Sequence, residues 1–367
     1  MNVSSGRREL LLAAGGFALA LALRTVFFLS SRETWDFQSW EIAASIVEKG
    51  GVVYQETTRY AYSPVWAYVL AFLRFATKPL GLTLSQAVSL LLLAGDGATA
   101  LLLFRIAKQR GQASSRALGT ALLFFLNPVS VLVSSSLGMF DNLSIFFLLI
   151  AVFLSAQRPV PKKAFLASMS ASLLVKHITW FHPLLLARRK EEPRVGLPAV
   201  FFPYAVFVAS FLPFWRSWRG IREYVFWYRG LEEPYGTEFL YSVPGVPSWA
   251  PKALLLLAAL SAAYVLRRAE FGRACLLLFL VVLIFAPGIV QYYFVWPIAL
   301  GALYPSAGYA VYTAMVGAFL IHSPDLLAQE IAHLPGWSGP WWALVFWLLW
   351  EIRRQSRLEG RELRVRT

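Results

Sequence analysis

The sequence contains little cysteine, little histidine and little charge, and each shortage excludes a class of protein. The single cysteine, Cys275, excludes an internal disulfide framework and a zinc site built from several thiolates. The four histidines are scattered, without the spacing of metal ligands. Charged residues make up 15% of the 367 residues, well below the quarter or so that is typical of soluble domains. An ordinary cytosolic enzyme and a disordered chain are therefore both excluded.

Long apolar runs are present instead. Hydrophobic and aromatic residues make up 58% of the chain, and the mean hydropathy is +0.57. A helix needs about 20 apolar residues to cross the hydrocarbon core of a bilayer. Apolar runs predict transmembrane helices at 9–31, 84–106, 115–136, 142–157, 195–214, 251–267, 271–287, 291–304, 306–322 and 337–352. The apolar stretch 163–187, interrupted by Lys176, His177 and Pro183, predicts two short helices that meet at a polar tip.

The pattern predicts an all-α polytopic membrane protein with about 12 transmembrane helices, in the range 11–13. We expect residues 1–367 to form one integral membrane domain. The formal net charge of +14 would indicate nucleic acid as the partner of a soluble protein. Because the basic residues of this chain flank its apolar runs, we expect membrane lipids as partners and no nucleic acid.

The positions of the basic residues predict which side of the membrane each loop faces. The loops after residue 80 form two sets on opposite sides of the membrane, and these sets hold 20 and 5 Lys and Arg. If 62–80 does not cross, the set with 20 lies on the same side as the N-terminus. Basic residues favour the cytoplasmic side, so we expect 62–80 to be a juxtamembrane helix on the outside and both termini to be cytoplasmic. The external loops would then be 32–84 and 215–250. We expect the first apolar run to be a retained span and not a removed signal peptide.

Polar residues gather at the predicted external ends of the spans. Asp36 follows the first span, where a partly desolvated carboxylate can act as a general base; the alternative is a solvated loop residue. Asp141 either caps the helix that starts at 142 or has a role in function. Lys176 costs about 2.5–3.5 kcal/mol to insert within an apolar segment, so we expect it to face a cavity or a partner such as phosphate. The alternative is a lysine that snorkels from a helix end.

Other polar residues have competing interpretations. Arg24 and Asp96 lie inside spans, and we expect them to form a structural ion pair between the first two spans. The pair Asn127-Pro128 predicts a kink whose freed carbonyl groups are satisfied internally, and His182 is expected to be structural. Tyrosine-rich runs fit an interfacial belt and a substrate site equally well, and they contain Tyr60, Tyr62, Gln291 and Tyr292.

Taken in order, these residues resemble the GT-C superfamily of membrane glycosyltransferases, which use polyprenyl-phosphate sugars. The likeness is to the family of GPI mannosyltransferase I catalytic subunits and archaeal-type relatives, over roughly residues 20–190. The residues that carry it are Asp36, the run Arg59-Tyr60-Ala61-Tyr62-Ser63-Pro64, Asp96 followed by Ala100 to Arg105, Leu126-Asn127-Pro128 leading to Ser134-Ser135-Ser136, Gly138 to Asp141, and Lys176. Beyond residue 190 the likeness is limited to Pro287 and Gln291-Tyr292.

The resemblance implies a GT-C fold with interfacial helices in the first external loop, a catalytic module at 1–190 and a variable module at 191–367. It implies that Asp36 deprotonates an acceptor hydroxyl in an inverting displacement. It also implies that Lys176, helped by His177 or Arg59, holds the departing polyprenyl phosphate. The implied substrate-binding residues are Tyr60, Tyr62, Asp141, Gln291 and Tyr292. The relatives carry two acidic residues where Thr34-Trp35-Asp36 has one, so we expect no metal ion and no other cofactor.

The implied reaction transfers a hexose, mannose in preference to glucose, from a polyprenyl or dolichyl phosphate to a lipid-linked glycan or another acceptor. It would take place on the external or lumenal face of an archaeal or bacterial plasma membrane, or of the endoplasmic reticulum. The alternative is a transporter or flippase of lipid-linked sugars. Transporters often show inverted repeats and helices broken at the midplane, whereas this sequence has no clear repeat and gathers its polar residues at one face.

Overall fold

A computed structural model of the chain describes residues 3–29, 34–187, 197–227, 243, 245–321 and 338–366, with side chains between residues 14 and 355 of these ranges. In this part of the chain the secondary structure is helical and contains no β-strand, which confirms the all-α fold class for it. The α-helices are α1 (Val3–Leu29), α2 (Trp35–Glu48), α3 (Val53–Glu56), α4 (Pro64–Thr77), α5 (Leu84–Gln109), α6 (Ser114–Phe125), α7 (Pro128–Val131), α8 (Asp141–Ser155), α9 (Lys162–Val175), α10 (Leu197–Ala209), α11 (Trp218–Gly220), α12 (Ala250–Leu266), α13 (Phe271–Phe285), α14 (Ile298–Leu303), α15 (Ala307–Ile321) and α16 (Ser338–Arg366).

One described helix, α5, has the length and apolar composition to cross a membrane. Two bent pairs meet the same criteria as pairs: α6 with 128–136, bent by 47°, and 198–209 with 212–226, bent by 60°. If each pair is one span, three spans are present. Shorter apolar helices such as α8, with 15 residues, are about 22 Å long, less than the roughly 30 Å of a bilayer core. The fold therefore has from one to three spans of clear length, and the expected twelve are not established by it.

The segment expected to lie beside the membrane forms α4. Its 14 residues cover about 21 Å, too short to cross a bilayer core without neighbours. Tyr68, Phe72 and Phe75 are exposed along it at the spacing of one helix face. Arg74 on the same helix pairs with Glu41 of α2 at 3.2 Å. The helix thus packs on α2 and exposes a row of aromatic side chains, which is typical of an interfacial helix.

The expected kink at Asn127-Pro128 is present. Helix α6 and the segment 128–136 meet at 47°. The Asn127 side chain accepts a hydrogen bond from the backbone N–H two residues further on and donates one to the Tyr309 hydroxyl at 2.9 Å. That hydroxyl in turn donates to the carbonyl of Leu123. The backbone groups released by the proline are therefore satisfied inside the protein, as predicted.

The expected ion pair joins Arg24 of α1 to Asp96 of α5 at 2.5 Å, and both side chains are buried. Arg24 also donates to the carbonyl of Phe125 at 3.0 Å and to the hydroxyl of Ser130 at 2.9 Å. Asn142 of α8 donates to the second carboxylate oxygen of Asp96 at 2.8 Å. One hydrogen-bonded network thereby fastens α1 and α5 to α6, α7 and α8, and a buried charge pair is tolerated when it is paired and hydrogen-bonded in this way.

Aromatic packing fixes α2 and α4 against the turn that precedes α8. The rings of Trp66 and Phe140 stack with centroids 4.0 Å apart, and Trp40 meets both edge-on. Phe37 of α2 packs on Gly138, which has a φ of +68° and where an added Cβ would collide with the Phe37 ring. Glycine is therefore required at this position by the backbone conformation and by the close approach of α2.

The stretch 163–187 differs from the two helices that were expected. It forms α9 and then two 3-10 turns, at His177–Thr179 and His182–Leu186. The second helix is missing because Lys176 has an extended backbone (φ −155°, ψ 127°) and a proline follows His182. The polar tip is thus a break after a single helix.

One further expectation is corrected. The span expected at 291–304 is a 3-10 turn at Gln291–Val295 followed by α14, because Pro297 cannot supply a helical N–H to a continuous helix. The segment 215–250, expected to connect two spans on the outside, begins with helical turns, α11 and a π-helical turn at Ile221–Phe226. Residues 228–242 and 244 of that segment lie outside the described part of the chain.

Candidate functional site

Lys176 forms a buried ion pair at the break after α9. Its ammonium group donates to one carboxylate oxygen of Asp141 at 2.5 Å, and the two side chains are 5% and 0% exposed. The other oxygen of Asp141 accepts a hydrogen bond from the indole N–H of Trp296 at 2.7 Å. The hydroxyl of Ser144 in α8 donates to the backbone carbonyl of Lys176. The lysine is thus held in place through its backbone and through its side chain.

Four aromatic rings, which we call the aromatic box, surround the lysine ammonium group. Its Nζ lies 4.8 Å from the ring centroid of Phe140, 4.9 Å from that of Tyr292, 5.7 Å from that of Tyr62 and 5.8 Å from that of Tyr293. Separations within about 6 Å give cation–π attraction, which is stronger where water is excluded. The box therefore stabilises a positive charge at this buried position.

A cavity of about 320 Å³ adjoins the box. Lys176 and His177 line it, and much of the remaining wall is apolar, including Phe207, Leu255 and Val282. The Nδ1 of His177 is buried and has no hydrogen-bond partner within the described ranges. An unpaired buried polar atom costs about 1–3 kcal/mol, which a ligand can recover. An apolar wall beside a cation and an unpaired ring nitrogen suits a ligand with a hydrocarbon part and an anionic part.

Asp36 lies in the first turn of α2 and is partly buried. Burial raises the pKa of Asp36 above its ordinary value, while the positive charges of Lys176 and Arg59 oppose that shift and the negative charge of Asp141 adds to it. These charges place Asp36 in the electrostatic neighbourhood of the lysine pair. A carboxylate with a raised pKa is better suited to accept a proton near neutral pH.

Arg59 lies against α2. Its guanidinium group donates to the Ser39 hydroxyl at 3.0 Å and to the Trp35 carbonyl at 3.0 Å, and it stacks 4.2 Å from the Trp35 ring. Its partners thus come from the same helix as Asp36. The structure relates Arg59 to Asp36 through this anchoring, and its expected help to Lys176 at a phosphate stays a prediction.

The run that follows Arg59 connects α2 to the end of α9. Ser63 donates a hydrogen bond to the carbonyl of Leu174, close in sequence to the lysine. Tyr60 is buried and donates its hydroxyl to the Ser63 carbonyl at 2.6 Å, so it shapes the turn. Tyr62 lines the cavity and belongs to the aromatic box. The structure therefore places Tyr62 at the cavity and Tyr60 in the turn, whereas the sequence did not distinguish their roles.

The remaining predicted residues have the following places. Tyr292 lines the cavity, and Gln291 begins the same turn in a partly exposed position. The expectation that Asp141 caps a helix is wrong, because it is the first residue of α8 and its carboxylate binds a lysine and a tryptophan. His182 is buried, with its ring 4.2 Å from that of Phe279, which agrees with a structural role.

Sequence reasoning did not identify Trp296, and it placed Phe140 and Tyr293 in runs at the external face without assigning them to the site. Phe140 and Tyr293 directly follow or precede predicted site residues, which is a signal that was available. Trp296 is 155 residues from Asp141 in the sequence, and no spacing rule connects the two. The aromatic box could be found only from the tertiary structure.

Within the described ranges, no group of three His, Cys, Asp or Glu side chains is arranged to hold a metal ion. No protein-family model, curated protein or solved structure matches the chain. The chemistry of these residues is therefore the basis of the functional proposal.

Proposed function

We propose that the chain is an integral membrane glycosyltransferase that moves a hexose, mannose in preference to glucose, from a polyprenyl phosphate to a lipid-linked glycan or another external acceptor. The observation that supports this best is the buried Lys176 at an apolar cavity, within electrostatic reach of the desolvated carboxyl of Asp36. The cavity fits a lipid tail, the lysine fits a phosphate, and the carboxylate fits an acceptor hydroxyl.

The leaving phosphate is the natural partner of Lys176. As the bond between the sugar and the phosphate breaks, negative charge increases on the phosphate oxygens, and a fixed cation stabilises that charge most in the transition state. An ammonium group has three N–H donors, and Asp141 accepts from it, so donor capacity is left for the phosphate. His177 lines the same cavity and adds an unpaired ring nitrogen.

Asp36 is proposed as the general base. It takes the proton of the acceptor hydroxyl while the hydroxyl oxygen attacks the anomeric carbon and the sugar–phosphate bond breaks. The bond electrons leave with the polyprenyl phosphate, and the single displacement inverts the anomeric configuration. This division of roles places the base and the phosphate-binding cation on opposite sides of the transferred sugar.

The proposed topology puts this site at the external face, with both termini in the cytoplasm. The excess of basic residues in one set of loops supports it. The length of α4 supports a first external loop that lies along the membrane. We propose an archaeal or bacterial plasma membrane or the endoplasmic reticulum as the location.

A transfer assay tests the proposal. Purified protein is incubated with polyprenyl-phosphate mannose or glucose and a lipid extract as the acceptor pool. The wild type and a Glu41→Gln control, altered at a half-exposed carboxylate on α2, should form a new lipid-linked product. Asp36→Asn should reduce the rate about 10²–10⁴-fold, the usual contribution of a general base, and should still bind donor. Full activity of Asp36→Asn would exclude Asp36 as the general base. Absence of transfer by the folded wild type would contradict the proposed glycosyltransferase activity.

The bent helix pairs favour a second function, because transporters use broken helices to form sites within the membrane. Two such pairs, bent by 47° and 60°, are present in the described ranges. Reconstituted vesicles that carry a fluorescent polyprenyl-phosphate sugar in one leaflet test this function directly. Protein-dependent loss of the leaflet asymmetry, together with absent transfer, would establish a flippase in place of the transferase.

A further inference from the structure

A second cavity lies between the middle of the expected first external loop and the segment after α10. This polar groove has a volume of about 660 Å³ and lies between residues 54–59 and 216–224. Its wall carries hydroxyl, amide and charged groups, whereas the cavity beside Lys176 is mostly apolar. The two spaces therefore suit different ligands.

One short element separates the two spaces. Val225 and Phe226 of the π-helical turn line the apolar cavity, while Glu223 and Tyr224 of the same turn line the polar groove. The polar groove extends to Arg59, which is bonded to the first turns of α2 near Asp36. The groove thus reaches an arginine that is anchored on the helix that carries the proposed base.

The walls of the groove are firmly joined. Gln55 donates a side-chain hydrogen bond to the Ser217 hydroxyl at 2.8 Å. Gly220 approaches the backbone of Tyr54 so closely that an added Cβ would collide with the Tyr54 carbonyl oxygen. Glycine is required for this contact, and the groove is therefore a fixed feature of the fold.

The groove carries an excess of positive charge. Three arginines line it, against two glutamates, Glu56 and Glu223. The Glu56 carboxylate accepts a hydrogen bond from the Val52 N–H at 2.7 Å, so it is partly engaged. Arg216 and Arg219 are exposed and have no ion pair or side-chain hydrogen bond in the described part of the chain. Guanidinium groups bind phosphate and carboxylate through two parallel hydrogen bonds.

We propose that the polar groove binds the acceptor lipid through an anionic headgroup held by Arg216 and Arg219, with the acceptor hydroxyl directed toward Arg59 and Asp36. The inference rests on the proposed function and adds the chemical class of its acceptor. Trp215 and Trp218, exposed and stacked 5.1 Å apart beside these arginines, fit the headgroup level of a membrane, where tryptophan is enriched. Arginines at that level attract anionic lipids.

Binding of short-chain lipids to the full chain tests the groove without any transfer. The protein, in nanodiscs of phosphatidylcholine, is titrated with dihexanoyl phosphatidic acid, with dihexanoyl phosphatidylcholine and with inorganic phosphate. The variants are Arg216→Gln, Arg219→Gln, their double variant and the control Arg222→Gln. The control removes one positive charge from an exposed residue on the same stretch, as each single variant does. Thermal unfolding verifies that all variants are folded.

The double variant should bind phosphatidic acid at least tenfold more weakly, and the control should stay within twofold of the wild type. A loss in the control equal to the loss in each single variant would reduce the effect to general surface charge and overturn the proposal. So would unchanged binding by the double variant. The remaining outcome is that inorganic phosphate binds as tightly as phosphatidic acid and depends equally on the two arginines. That result would contradict the proposal that the groove recognises a lipid.

The transfer assay then separates this proposal from the function on which it rests. With an active wild type, the double variant should raise the KM for the acceptor at least tenfold and leave the KM for the donor within twofold. A raised donor KM would contradict the assignment of the groove. Absence of transfer by the wild type would refute the proposed transferase activity. Weaker binding of phosphatidic acid by the double variant would still establish the anion site.

Discussion

Two buried ion pairs of the same length differ in what surrounds them. Arg24 and Asp96, 2.5 Å apart, share their remaining hydrogen-bonding groups with serines, an asparagine and a backbone carbonyl. Lys176 and Asp141 are also 2.5 Å apart, but aromatic rings and a cavity border the lysine. The first pair is surrounded by hydrogen-bonding groups of the protein, whereas the second retains donor capacity for a ligand. The comparison shows that burial and distance alone do not distinguish a pair enclosed by polar groups of the protein from a pair that borders a cavity.

The two cations account for this difference. A guanidinium group has five N–H donors in a rigid plane, and the fold provides hydrogen-bond acceptors for four of them around Arg24. An ammonium group is a compact charge with three donors that can rotate between partners. Lys176 is thus able to gain a phosphate without losing its place, and Arg24 is not.

Replacing each pair as a unit should give the largest contrast. Lys176→Met with Asp141→Asn should stay folded and reduce transfer by about 10²–10³-fold, the usual effect of removing a group that stabilises transition-state charge. Arg24→Met with Asp96→Asn should also fold, since replacing both partners of a buried pair is often nearly neutral, and should keep transfer within a few-fold. Parallel transfer assays of the two double variants test this contrast. Equal losses of transfer activity would show that the two pairs do not differ in their contribution to the reaction.

Removing one partner of the Arg24–Asp96 pair should have the largest effect on stability. Arg24→Met leaves a buried, unpaired carboxylate at Asp96 and should lower the free energy of unfolding by about 3–5 kcal/mol. The control is Arg74→Met, which removes a partly exposed pair worth about 0–1 kcal/mol. Thermal unfolding in detergent measures both. A loss no greater in Arg24→Met than in the control would show that the network carries little stability.

Gly138→Ala should disturb the surroundings of the second pair and leave the first pair intact. The added methyl group meets the Phe37 ring at a position with φ of +68°, so the Phe37 ring must move, and we expect α2, which carries Asp36, to shift with it. Overpacking of this kind costs about 1–3 kcal/mol, and we expect transfer to fall about tenfold. Gly97→Ala in α5, where a Cβ meets no neighbour within 4 Å, should leave transfer unchanged. Full activity of Gly138→Ala would show that α2 need not be held in place.

The smallest effect concerns the acid limb of the pH–rate profile. Only the ionised carboxylate of Asp36 can accept a proton, so kcat/KM rises as pH rises through its pKa. Asp141 raises that pKa, so Asp141→Asn should lower it and shift the acid limb to lower pH, whatever its effect on the maximal rate. Asp96→Asn should leave the limb in place. A limb that moves in neither variant would exclude Asp36 as the titrating group.

The sequence predicts features that depend on neighbours in the chain or on depth in an apolar run. The span at 84–106 corresponds to Leu84–Gln109, and the kink follows from Asn127-Pro128. The pairing of Arg24 with Asp96 followed from two charges that no membrane interior tolerates unpaired. Local chemistry was sufficient for these three.

The rest depends on contacts that no local rule contains. Asp141, the partner of Lys176, is 35 residues away in the sequence. Trp296, the second partner of the Asp141 carboxylate, is 155 residues from Asp141. The polar groove combines segments more than 150 residues apart, since Gln55 bonds to Ser217 across 162 positions. Short apolar runs also failed to predict helix lengths, because prolines such as Pro297 divide them.

The neutrality of the two ion pairs has an electrical consequence. Moving one elementary charge through a membrane potential is worth about 2.3 kcal/mol per 100 mV. Because the charge of Arg24 is cancelled by Asp96 at 2.5 Å, a potential across a bilayer does almost no net work on this pair. The same holds for Lys176 until an anion joins it. In an energised membrane, the voltage would therefore act on the arrival and departure of the proposed phosphate, and these two ion pairs would add no voltage dependence to the conformation.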